Sequence, residues 1–174
     1  MKLFNRKRDI IYLLLVCILC ASVFIGYKTF RIDGTSMQKS YESGDVIIVN
    51  KVIYNIIKPN FYDIIVFYDI IEDDILIKRV IGIEGDSIEL KKGEIYINDT
   101  KLTDEFSESV IVGTIYDEHD LPLTDWESGE LILLPVEENK LIVPKDHVWV
   151  IGDNRAKSWY GLIHINDIIG KVID

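Results

Sequence analysis

Three short stretches carry residues that could do chemistry together. Gly34-Thr35-Ser36-Met37 places a hydroxyl just past a long apolar segment, and Leu76-Ile77-Lys78-Arg79-Val80-Ile81-Gly82 sets a lysine among apolar residues. The third, Gly152-Asp153-Asn154-Arg155-Ala156-Lys157-Ser158, offers a turn and a second hydroxyl. A serine hydroxyl is a poor nucleophile until a base takes its proton. His119, His147 and His164 are scattered without ligand spacing or attendant carboxylates, so they read as surface or structural groups, with no metal and no cofactor implied. Lys78 is the better base: along a strand its side chain could enter a dry environment, where burial disfavours the ammonium and a neutral amine can accept the Ser36 proton. Arg79 cannot replace it, because guanidinium stays protonated, and in a period-two strand it points to the opposite face. Each stretch alone has a plainer explanation. Lys78-Arg79 also fits an exposed pair on an edge strand, and Ser36 fits simple turn chemistry.

The elements that must position these groups begin with the anchor. Ile10 to Tyr27 runs without a charge, roughly 27 Å as a helix, about one hydrocarbon core. Four basic residues precede it, and only Lys28 and Arg31 follow closely, so the positive-inside bias leaves residues 1–9 in the cytoplasm and residues 28–174 outside. A cleaved secretory leader ending near Ala21-Ser22-Val23 is the competing reading. At most nine residues separate Tyr27 from Ser36, which keeps the hydroxyl within about 30 Å of the bilayer surface.

Beyond the anchor the chain reads as short strands: a buried one at Val46-Ile47-Ile48-Val49, then Tyr62 to Phe67, Ile75 to Ile83 and Ser87 to Leu90. A hairpin through Lys92-Gly93 leads into Glu94 to Asn98; Leu141 to Val143 and His147 to Ile151 follow. Residues 100–139 are the least informative, a variable excursion with one or two hairpins such as Glu130 to Leu134. Strands punctuated by Gly, Asp and Asn, with little helical periodicity, predict a mainly β, antiparallel catalytic domain.

Composition narrows the partners. The 174 residues allow one well-cored domain plus an appendage. Residues 1–31 carry six basic side chains against Asp9, whereas the remainder carries 13 Lys and Arg against 28 Asp and Glu. So acidic a domain is repelled by phosphate backbones, which excludes nucleic acid as a natural partner. Cys17 and Cys20, the only cysteines, lie inside the apolar segment and read as apolar filler.

Taken in order, these stretches resemble the bacterial type I signal peptidases. That family has a Ser-Met-x-Pro-Thr nucleophile segment after a membrane helix, a Gly-Asp-ψ-ψ-ψ-Phe strand, a Lys-Arg-Val-Ile-Gly-x-Pro-Gly-Asp base segment and a late Gly-Asp-Asn-Arg-x-x-Ser segment. This chain offers Ser36-Met37, Asp63 to Phe67, Lys78 to Gly82 with Gly85-Asp86, and Gly152 to Arg155 with Ser158. The resemblance implies a membrane-bound serine endopeptidase, with its catalytic domain outside, that removes signal peptides from exported preproteins. Ser36 would be the nucleophile, Lys78 the general base and then acid, and Ser158 the hydroxyl orienting the amine. Gly34, Gly152, Asp153 and Asn154 would support them, and the Ser36 N–H would donate to the oxyanion. Ile32, Met37, Leu76 and Ile77 would line apolar pockets for an Ala-x-Ala site, plain core being the alternative for each. Gly34 matches the Gram-positive pattern, with no oxyanion serine two before the nucleophile. Lys39 and Ser40 stand where the family has Pro-Thr, Glu84 replaces a proline, and Trp159-Tyr160-Gly161 replaces Asp-Ser-Arg. Signal-peptidase-like factors that assist pilus assembly are the rival within the resemblance, with pilus subunits as partners. Self-cleaving repressor domains share the dyad, but they are cytoplasmic and linked to DNA.

Overall fold

The structure, a computed structural model, describes residues 6–70, 73–91, 94–107, 123–124, 131–132, 136–137 and 140–173. The Lys92-Gly93 turn, His119, most of the Glu130 to Leu134 hairpin and most of the basic N-terminus lie outside the described residues, as does the side chain of Cys20.

The apolar segment forms helix α1, Arg6–Gly26, and its side chains from Ile10 to Val16 are exposed. Among the described residues no helix is long and apolar enough to cross a membrane. Tyr27, expected to end the apolar helix, instead begins strand β1 (Tyr27–Arg31). It pairs there with Asn50, and the Gly26 carbonyl takes the N–H of Lys51 at 2.8 Å. The neighbouring strand claims the backbone groups that a further helical turn would use.

A seven-stranded sheet forms the body, in the order β1, β2 (Val46–Asn50), β14 (Ile168–Ile173), β3 (Ile64–Asp69), β4 (Asp74–Ile83), β12 (His147–Ile151) and β13 (Tyr160–His164). Every pairing in it is antiparallel. A five-stranded sheet runs β10 (Val136–Glu137), β11 (Lys140–Ile142), β5 (Ser87–Lys91), β6 (Glu94–Ile97) and β7 (Thr100–Lys101), and β8 (Leu123–Thr124) pairs with β9 (Leu131–Ile132). The mainly β, antiparallel expectation agrees with this architecture. The β2 expectation needs correction, because Val46 and Ile48 are 60% and 46% exposed while Ile47 and Val49 are buried. β2 is covered on one face only, so its unbroken apolar run hides an ordinary alternation.

β4 is the organising strand. It pairs with β3 through Ile64↔Arg79, Ile65↔Lys78 and Val66↔Ile77, and with β12 through Val148↔Ile83, Trp149↔Gly82, Val150↔Val80 and Ile151↔Arg79. Between the second and third of those β12 pairs the register shifts by one residue, leaving Ile81 as an unpaired bulge. One face of the sheet buries Ile65, Phe67, Val80, Val148, Val150 and Ile163. The other is covered partly by Ile32, Met37, Ile47, Val49 and Val66 and partly by the smaller sheet, through Ile81, Ile88, Ile95, Leu141 and Trp149.

The start of the excursion is tied to this body by charge. Arg155 Nη2 donates to Asp104 Oδ2 at 3.0 Å, and the two side chains are only 2% and 4% exposed. The Tyr62 hydroxyl donates to the same oxygen at 2.8 Å, and Phe106 lies under the Arg155 and Arg79 guanidinium groups. Removing one partner of a buried pair leaves an uncompensated charge. Arg155→Met is therefore expected to lower stability by about 3 kcal/mol, read as a shifted urea midpoint, and Asp104→Asn in the same chain should recover part of it.

Candidate active site

Ser36 follows a turn that Gly34 makes possible, since its φ of +98° is strained for any side chain. Lys78 lies in the middle of β4 and is 3% exposed. Its Nζ sits 2.9 Å from Ser36 Oγ and 3.1 Å from the carbonyl oxygen of Ile77, so residues 42 positions apart meet at one hydrogen bond. Among the described residues no carboxylate bonds the amine. Burial brings its pKa down to about 8, against the weaker upward pull of Asp69 and Asp153. An amine with that pKa is free in an appreciable fraction at neutral pH and can take a proton from the hydroxyl beside it.

Arg79 goes the other way. Its Nε and Nη2 donate to the two oxygens of fully buried Asp153, both at 2.8 Å, and Nη1 donates to the Tyr62 carbonyl at 3.2 Å. Ser40 Oγ also donates to Asp153, at 2.5 Å, which gives the serine standing in place of the family threonine a definite partner. Two of the other departures are spent on the surface. Lys39 reaches the Glu105 carbonyl at 3.4 Å, and Glu84 pairs with Lys58 at 2.7 Å.

The Gly152 to Ser158 loop is stitched to the turn that carries Ser36. The Asn154 backbone N–H donates to the Ser36 carbonyl at 3.0 Å, and its Nδ2 donates to the Thr35 carbonyl at 3.1 Å. A Cβ on Gly152 would collide with the Ser36 carbonyl oxygen and with Ser158 Oγ, so that approach needs glycine. Ser158, expected to orient the lysine amine, turns its hydroxyl elsewhere: it accepts the Gly152 N–H at 2.6 Å and donates to the Trp159 carbonyl at 2.7 Å. The amine takes the Ile77 carbonyl instead.

The four residues expected to line pockets separate. Ile32 and Met37 are buried in the core with Val49 and Val66. Half-buried Ile77 packs on that cluster, while half-buried Leu76 packs on the opposite one with Phe67 and Val80. Sequence reasoning missed Tyr62, Asp104 and Arg155; the Asp104–Arg155 pairing spans 51 positions, and nothing in local spacing announces it. Among the described residues no group of three His, Cys, Asp or Glu is placed to hold a metal ion. His147 and His164 stack edge to face across β12 and β13.

A family model described as signal peptidase, peptidase S26, matches residues 6–173. Signal peptidase I of Bacillus caldolyticus is 31% identical over 97% of this chain and 89% of its own length. Signal peptidase I V of Bacillus subtilis (strain 168) is 30% identical over 88% and 86%. A solved signal peptidase I from Enterococcus faecalis V583 superposes with a TM-score of 0.45 and 25% identity, over 68% of this chain and 99% of that one.

The buried amine is costly to the fold. Between pH 8 and the unfolded lysine value of 10.5 the unfolded chain holds the extra proton, so stability rises with pH across that window and the penalty is full below it. Lys78→Met is expected to raise stability at pH 7 by about 1–3 kcal/mol, seen as a melting temperature several degrees higher. That gain should shrink above pH 8.

Proposed function

This chain belongs to the signal peptidase family, peptidase S26, and on that premise we propose that it removes N-terminal signal peptides from exported preproteins as a membrane-bound serine endopeptidase with Ser36 as nucleophile and Lys78 as base. The observation that carries this reading is the 2.9 Å contact between the buried Lys78 amine, which no carboxylate bonds among the described residues, and the Ser36 hydroxyl.

The steps follow from those two groups. The free Lys78 amine takes the Ser36 proton as Oγ bonds to the carbonyl carbon of the last signal-peptide residue. Among the described residues no acceptor takes the Ser36 backbone N–H, which leaves it to donate to the developing oxyanion. Collapse breaks the C–N bond, and the Lys78 ammonium passes its proton to the departing nitrogen, leaving an ester on Ser36. Water then gives a proton to Lys78 and its oxygen to the ester carbon, and Ser36 leaves with the proton returned. Half-buried Ile77 beside the base suits a small apolar side chain before the cut bond, with Ile32 and Met37 packed behind it as its support, while Leu76 lies on the other face of β4.

The apolar part of α1, residues 10–26, would hold the chain in the membrane, with residues 1–9 in the cytoplasm and 27–174 outside. The immediate passage from α1 into β1 keeps the site close to that anchor. An assembly factor for pilus subunits needs neither a hydroxyl nor a depressed amine, so their joint presence favours cleavage.

Purified full-length chain in detergent is expected to cut a synthetic Ala-x-Ala signal peptide, and Ser36→Ala and Lys78→Ala should each lower kcat at least about a thousandfold. Cleavage that survives both substitutions rejects the pair. Because the free amine is the active form, kcat/KM should climb about tenfold per pH unit on the acid side and level off above about 8. A limb centred near the usual histidine value would assign the base elsewhere.

A further inference from the structure

Trp159 stands in the loop where the family pattern has Asp-Ser-Arg, and its side chain is used by nothing in the steps above. It is 46% exposed, yet its place is fixed. The indole lies so closely on Gly161 that a Cβ there would meet Cζ2 at 2.6 Å and Cη2 at 2.8 Å. Its ring centroid is 6.5 Å from that of Phe67, at 37°. Its carbonyl oxygen is held by Ser158 Oγ, which is in turn held by the Gly152 N–H, in contact with the Ser36 carbonyl.

The strand registers place the ring relative to the base. Gly161 pairs with Val150, Val150 with Val80, and Leu76 with Phe67. Leu76, Lys78 and Val80 alternate onto one face of β4, the face whose core holds Phe67, Val80 and Val150. The indole therefore rests on the sheet face from which the Lys78 amine rises, reaching from β13 towards β3, with its outer side open to solvent. A rigid aromatic surface loses little entropy when it binds.

Resting on the peptidase reading, we propose that Trp159 is the specificity-determining platform for the leaving-group side, taking an apolar or aromatic side chain on the first residue after the cut bond. The chemistry dictates the side. Lys78 must hand its proton to the departing nitrogen, so the chain beyond that nitrogen leaves past the amine and onto the surface beside it. The signal-peptide side lies with Ile77, whose neighbours Ile32 and Met37 belong to the opposite cluster.

The test uses full-length chain in detergent and one Ala-x-Ala signal peptide in which the first residue after the bond is Phe, Gly or Asp. The wild-type kcat/KM for Phe should exceed that for Gly about tenfold, within the range one apolar contact supplies. In Trp159→Ala the ratio should fall close to one, chiefly through KM, while Trp159→Phe keeps most of it. If the Ala variant unfolds, Trp159→Gln carries the same expectation. An unchanged ratio overturns the proposal, and so does a change confined to the Ala-x-Ala positions. Wild-type chain that cuts none of the peptides removes the peptidase reading and this platform together, whereas cutting without the Phe preference removes the platform alone.

Discussion

Everything in this molecule turns on keeping one lysine amine dry and free of carboxylates inside a domain rich in them. With 28 acidic residues after position 31, an ion pair is the default fate of any ammonium, and a paired ammonium holds its proton. The fold escapes this by division of labour along one strand. Arg79, next to Lys78, carries the charge that fully buried Asp153 requires and grips both its oxygens. Lys78, facing the other way, is left with a hydroxyl and a carbonyl. Neither side chain could exchange roles, since only the lysine can shed its proton and only the guanidinium presents a fork.

The second consequence is mechanical. Two segments more than a hundred residues apart behave as one piece, because Asn154 bonds the Ser36 and Thr35 carbonyls and Gly152 sits against the same backbone. The turn at Ser36 has local bonds of its own, from Gln38 N–H to the Thr35 carbonyl and from Tyr41 N–H to the Met37 carbonyl, and the later loop holds the Ser36 and Thr35 carbonyls in place. That loop is steadied in turn by Arg155 on Asp104 and by Ser158 on Trp159.

Much of the β architecture was legible from alternation and turn residues, as β4, β5, β6 and β12 illustrate. Other strands escaped notice for physical reasons. β1 is polar at Lys28, Thr29 and Arg31 and follows the apolar segment directly, and β13 and β14 carry glycine in their interiors, which dilutes the apolar signal. The meeting of Ser36 and Lys78 could not be read from spacing at all, because it depends on long-range pairing; the motif order supplied it. The direction of the Ser158 hydroxyl was beyond reach as well, since it answers to a backbone carbonyl that only the folded loop brings near. The Asp104 to Arg155 link was invisible for the same reason.

The bulge at Ile81 carries a consequence of its own. Continue the Val148↔Ile83 count down β12 and β4 without skipping a residue, and Lys78 would fall opposite Asp153; with the skip, the ladder ends at Ile151↔Arg79 and the next residue along is Gly152. Were Ile81 drawn into the ladder opposite Val150 instead of being left out, the strands would still pair, yet the amine would stand beside the acid as an ion pair. The freedom of that amine from acid depends on a miscount of one.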